Sequence, residues 1–143
     1  MTDHSARGFS IVELAVTVLV LGILFSFSIP AFHNLSASYQ LRGATENVAA
    51  QLRLAREKAI ATGVVTPIHV PNSTTYHIHY SPGAISTVWT LPRGITFTNS
   101  TLNAWPKFQT DGRCLDAAVF VLQNVRGDKD TVSVQLSGLV LTN

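Results

Sequence analysis

The chain has 143 residues, 46% hydrophobic and 13% charged, with a formal net charge of +2 and one cysteine. That length accommodates one globular domain, and the lone Cys114 excludes an internal disulfide framework or a cysteine-rich zinc centre. A charge of +2 is too small to make nucleic acid or an anionic lipid surface the default partner.

The charged fraction is about half the usual quarter, so the apolar excess has to be concentrated somewhere. It lies in residues 9–32, FSIVELAVTVLVLGILFSFSIPAF, whose only charge is Glu13. At a rise of about 1.5 Å per residue such a helix spans a hydrocarbon core of roughly 30 Å. A buried core helix is disfavoured, because every face is apolar and the rest of the chain is too small to cover it. A secretory signal would have a shorter apolar run ending in a small-residue cleavage site. A membrane anchor remains, and Arg7 on its short flank favours a cytoplasmic N-terminus.

Glu13 is the odd residue, since an acid at membrane depth costs about 2 to 3 kcal/mol unless it is paired. It sits either near the helix end, within reach of headgroups, or against a cation supplied by a neighbouring protein. If the chain were cut between Gly8 and Phe9, the new amine of one subunit could neutralise Glu13 of the next. The anchor would then associate with itself.

The stretch Arg7-Gly8-Phe9-Ser10-Ile11-Val12-Glu13-Leu14 resembles the leader motif of type IV prepilins and type II secretion pseudopilins. The resemblance implies cleavage after Gly8 by a membrane prepilin peptidase, N-methylation of Phe9, and an assembly role for Glu13. Removal of the leader, residues 1–8, takes away Asp3 and Arg7 together and leaves the net charge unchanged.

Pro30 is expected to bend the helix by removing a backbone hydrogen bond. Beyond it, residues 33–63 read as an amphipathic continuation. Leu41, Ala44, Val48, Leu52, Ala55 and Ala59 recur at three- and four-residue spacing, and Gly63 supplies a C-terminal cap. The basic residues Arg42, Arg53, Arg56 and Lys58 read as a solvated face. Residues 64–143 read as short strands at 64–70, 76–80, 87–91, 95–98, 118–122, 132–136 and 139–141. Turns are expected at 71–75, 81–83, 92–94, 111–112, 127–128 and 137–138. With no second long helix the sheet should be antiparallel. The fold class is therefore α+β: a long N-terminal helix, half membrane-spanning and half amphipathic, packed on an antiparallel β-sheet. An 80-residue β-domain would be marginal alone, and the amphipathic half-helix completes its core.

The block at residues 46–60, ENVAAQLRLAREKAI, is similar to the helix-end block of the GspH/FimT minor pseudopilins, and Phe108-Gln109-Thr110-Asp111-Gly112-Arg113 resembles their F-x-x-D-G-R turn. This implies a pilin-like fold and a structural subunit of a type II secretion pseudopilus or type IV pilus. Its partners would be prepilin peptidase and other pilins. It would be a single-pass protein of the bacterial inner membrane, with residues 64–143 in the periplasm, and would also occur in the filament. The alternative is a pilus-associated DNA receptor, since some FimT members carry a basic G-R-x-R element. The corresponding residues here, Gly138-Leu139-Val140-Leu141, have leucine in place of both arginines. Arg113, Arg126 and Lys129 are the remaining candidates for phosphate contact, and Asp111, Asp116, Asp128 and Asp130 lie close to them in sequence.

Five histidines raise the question of a metal, with His77 and His79 on one strand face and His69 on the hairpin partner. No acid lies between Glu57 and Asp111 to complete a ligand set, so a solvent-facing row is the simpler reading and no metal or other cofactor is expected. Asp128-Lys129-Asp130 lacks most of a calcium loop and reads as a hairpin turn. Catalytic motifs are missing, and an enzyme is not expected.

Overall fold

The structure, a computed structural model, describes residues 9–80, 87–98, 100–102 and 104–143, the side chains of 27–34 excepted. The leader, the turn expected at 81–83 and the side chains of Pro30 and His33 lie outside the described residues. The chain divides into two compact units, Met1–Ser36 and Ala37–Asn143. Its elements are α1 (Ile11–Thr62), β1 (Thr66–His69), β2 (Thr75–Ile78), β3 (Thr87–Thr90), β4 (Ile95–Phe97), β5 (Lys107–Phe108), β6 (Ala118–Asn124), β7 (Lys129–Val134) and β8 (Val140–Thr142).

In the second unit, α1 buries the stripe Leu41, Ala44, Val48, Leu52, Ala55 and Ala59, together with Thr45 and Ala49. These residues share one face of the helix and lie in the same core as the inward side chains of the strands. Thr45 satisfies its buried hydroxyl by donating to Leu41 O at 3.0 Å. The helix ends at Thr62, and Gly63 follows with φ +66°. That left-handed conformation is accessible to glycine at low cost and stops the helix.

The strands form two antiparallel four-stranded sheets rather than one, in the orders β3-β2-β1-β5 and β4-β6-β7-β8. Alternate residues point inward, so Ile68, Tyr76 and Ile78 from the first sheet meet Phe97, Phe120, Leu122, Val132 and Val134 from the second in the same core as the helix stripe. Among the described residues, two backbone hydrogen bonds link the sheets: Phe97 N–H donates to Ser73 O at 2.7 Å, and Cys114 N–H donates to Leu136 O at 3.0 Å.

Local chemistry explains where the strand bounds differ from the sequence reading. Asn72 Oδ1 accepts the N–H groups of Thr74 and Thr75, each at 2.9 Å, closing the β1–β2 turn so that β2 starts at Thr75. Asn124 Oδ1 accepts from Arg126 and Asp128, each at 3.0 Å. This tight β6–β7 turn lets the ladder begin at Gln123 opposite Lys129, three residues earlier than expected. Two-residue β5 carries no periodic signal and exists because β1 pairs with it, Thr66 opposite Phe108 and Pro67 opposite Lys107.

Candidate functional site

At the start of α1, Glu13 N–H donates to Ser10 Oγ at 3.2 Å, while Ser10 N–H points back at Glu13 Oε2 at 3.5 Å. This is the reciprocal geometry of a capping box, its second bond stretched to the limit. Phe9 precedes it, 80% exposed, and Gly8 lies outside the described residues. Among the described residues, Glu13 has no cationic partner. The large apolar side chains around it, from Phe9 to Phe25, are 47% to 87% exposed on every side of the helix. Such a surface is not left to water in a working protein.

Among the described residues no helix is long and apolar enough to cross a membrane. The described side chains of the apolar run stop at Ser26, and the stretch from Ile11 measures roughly 24 Å, short of a span of about 30 Å.

The F-x-x-D-G-R segment is a built turn. Phe108 is fully buried, Gln109 N–H donates to Arg113 O at 2.7 Å, and Asp111 Oδ1 accepts Arg113 N–H at 2.9 Å. Gly112 has φ +80°, and its carbonyl accepts a hydrogen bond from Arg56 Nε at 2.8 Å. The second glycine turn, at Gly138, lies against the same carbonyl. Arg42, Arg53 and Lys58 are exposed, as expected of a solvated face, and Arg56 departs from that expectation in being half-buried against this turn. Arg53 donates to Val140 O at 3.3 Å, and Lys58 Nζ stands 4.0 Å above the Tyr80 ring. Glu46 accepts from Thr142 Oγ1 at 3.2 Å. Arg53, Arg56 and Glu46 of this half-helix reach strand ends and turns more than 50 residues away in sequence, partners that no local pattern reveals.

Cys114 is buried, and its thiol donates to Asp116 O at 3.2 Å. Burial pushes its pKa up, so it is an inert core thiol.

The cations considered for phosphate contact do not converge. Arg113, before β6, is 3.9 Å from Asp111, and Arg126, after β6, is 3.9 Å from Asp128. The seven residues of β6 separate these two turns by roughly 20 Å. Lys129 opens β7 next to the second pair. Asp128 also accepts from Asn124 Nδ2 at 2.9 Å, a turn-closing role.

His69 faces His77 across β1 and β2. The two rings are 6.2 Å apart, and His77 and His79 are 6.5 Å apart. Trp105 stacks on His69 at 4.2 Å between ring centroids. The face is packed and half-buried rather than freely solvated, and among the described residues no three ligating side chains are grouped to hold a metal. Burial lowers the His69 pKa, and the charges of His77 and His79 lower it further. The unfolded chain therefore takes up a proton at His69 more readily than the folded one. The contribution of His69 is intact above its ordinary pKa of 6.5 and is lost as pH falls through the lower folded value. His69→Gln should flatten this part of the acid slope in chemical denaturation followed over pH; an unchanged slope would show that His69 does not carry it.

No protein-family model matches the chain. Two fimbrial proteins of Pseudomonas aeruginosa are each 31% identical to it over 80 residues, 55% of this chain and 51% of theirs. The chain thus spans about half the length of the curated relatives it matches. Two crystal forms of the Pseudomonas aeruginosa type IV minor pilin FimU superpose on it, with TM-scores of 0.61 and 0.57 at 17% identity. They cover 76% and 72% of this chain and 92% of FimU. A long helix whose C-terminal half packs on antiparallel sheets gives this chain the α+β fold of the type IV minor pilin FimU.

Proposed function

We propose that this chain is a structural subunit, a minor pilin or pseudopilin, of a type IV pilus or a type II secretion pseudopilus, in the GspH/FimT group. It is held in the inner membrane by residues 9–32, with the β-domain in the periplasm. Prepilin peptidase removes residues 1–8, Phe9 is methylated, and the helix exchanges lipid for the helices of other pilins in the filament. Glu13 then pairs with the Phe9 amine of a neighbour and sets the axial offset between subunits.

The observation that carries this reading is the helix surface from Phe9 to Phe25, apolar and exposed all round, with Glu13 as its single charge. Lipid and packed helices both cover such a surface, and only a second protein supplies a fixed cation within it. The pilin-like fold of the second unit supports the same conclusion. On this reading, mass spectrometry of the chain from cells carrying the peptidase finds an N-terminal methylated Phe9. Gly8→Ala is a mild lesion and Gly8→Leu a severe one that retains the leader. A mature chain still beginning at Met1, or released by cleavage beyond residue 31, overturns it.

A further inference from the structure

Cross-strand register sets the side-chain rows on the outward face of the β3-β2-β1-β5 sheet. His69 lies opposite His77, and His77 opposite Val88. Ile68 N–H donates to Pro106 O at 2.9 Å, which brings Trp105 beside His69, where its ring stacks at 4.2 Å. In the next row Pro67 stands between Lys107 of β5 and His79, whose N–H donates to Pro67 O at 3.0 Å. Trp105 is also nearly parallel to the His79 ring, at 8° and 6.3 Å. Residues 105–107 thus form a short strap that covers the border of β1 and touches two of the three histidines.

Neutral rings suit this arrangement and charged rings do not. His69 and His77 are 6.2 Å apart and His77 and His79 6.5 Å, so protonated neighbours repel. His79 Nε2 is buried with no partner among the described residues, and a protonated His79 would hold a buried N–H with nothing to accept it. No carboxylate offsets the charge. The sequence has no acid between Glu57 and Asp111, and residues 81–86 and 99–104 carry no ionisable side chain. Lys107 adds a fixed positive charge to the face, while Thr75, Val88 and Thr90 are neutral. The helix packs on the other side of the sheet, where Tyr80 meets Lys58. Asp111 and Asp116 follow β5, and Asp111 is 3.9 Å from Arg113. The strap is weakly held, since β5 pairs with β1 over only two residues.

We propose that this face is an acid-operated latch: protonation of His69, His77 and His79 lifts residues 105–107 off the sheet and frees the border of β1, while the rest of the β-domain stays folded. At neutral pH the rings are uncharged and the strap is down. Burial and the two neighbouring imidazoles hold the His69 pKa below 6.5 in the closed arrangement. Lifting Trp105 returns His69 to water, so the open form takes up protons more readily and acid favours it. The latch does not depend on whether the chain enters a filament.

The test follows the full chain in detergent micelles from about pH 7.5 to about pH 5. A Trp89→Phe background leaves Trp105 as the sole indole. The expected result is a red shift of Trp105 emission with a midpoint below the ordinary histidine pKa of about 6.5. Over the same range the Ile68 amide, which bonds Pro106 O, loses at least about tenfold in protection against hydrogen exchange, corrected for intrinsic rate, while β6 and β7 keep theirs. With all three histidines changed to glutamine, neither signal moves. His69→Gln alone, and Lys107→Gln alone, each shift the midpoint to lower pH. Should the triple variant lack β6 protection at neutral pH, the direction of those two single-variant shifts decides. Quenching of Trp105 without a red shift and without loss at Ile68 means protonation under a closed strap, and overturns the proposal. So does release that persists in a folded triple variant, or loss of protection throughout β6 and β7.

Discussion

Replacing Glu13 with alanine is expected to leave delivery to the membrane intact and to cut the filament-associated fraction by at least about tenfold. The reason is electrostatic. In the isolated chain the carboxylate has only the long, weak bond from Ser10 N–H at 3.5 Å and is ringed by exposed apolar side chains. Once neighbouring helices exclude water, that bond cannot offset the desolvation of a full charge, whereas an adjacent amine can. Removing one member of such a pair leaves the other charge buried, which costs about 3 to 5 kcal/mol. Glu13→Gln keeps the shape and the capping geometry but not the charge, so it should assemble nearly as poorly. The ratio of filament-bound to membrane-bound chain, measured by shearing and immunoblot, gives the answer. Normal assembly of both variants would remove the role assigned to Glu13 while leaving the fold likeness untouched.

The largest stability loss is expected from Gly138→Ala. Gly138 has φ +79°, a conformation that costs a residue with a side chain about 1 kcal/mol. An added Cβ would also lie 1.8 Å from Gly112 O and 2.7 Å from Arg56 Nε. The Gly112 carbonyl belongs to a turn whose own bonds are made, so it cannot move alone. The Arg56 bond would break, leaving a buried acceptor unpaired at a further 1 to 3 kcal/mol or so. A total of about 2 to 4 kcal/mol, read as a fall of at least roughly 8 °C in Tm, is expected by circular dichroism. Gly43→Ala is the internal control. Its Cβ would meet nothing within 4 Å, and a helical alanine there should stabilise by about 0.5 to 1 kcal/mol. Equal effects at the two positions would show that the approach of the two turns to Arg56 is not a source of stability.

Legibility in the sequence followed the range of the interaction. The helix stripe from Leu41 to Ala59 repeats at a period that only a helix satisfies, and all six of its residues are buried. The Asn72 and Asn124 turns are local hydrogen-bonding devices, and both hairpins form where turn residues stand. Arg56 looked like any solvated cation because its acceptor, Gly112, is 56 residues distant. The spacing of the F-x-x-D-G-R segment has its explanation there: Phe108 anchors the turn, Asp111 closes it, and Gly112 lets its carbonyl meet the guanidinium. Arg113, Arg126 and Lys129 are close in sequence terms, yet β6 sets Arg113 apart from the other two, and each arginine has an aspartate beside it.

By itself, the order of side chains determined the uniformly apolar start with its single acid, the amphipathic stripe and its end at Gly63, and a run of short antiparallel strands. Each is a matter of period, charge or turn chemistry within a few residues. Only the tertiary structure decided that the strands divide into two sheets, that a two-residue β5 completes one of them, and that basic helix residues tie down distant turns. Those outcomes depend on which backbone groups meet across the fold. A hydrogen-bonding group carries no sequence mark of the partner that satisfies it.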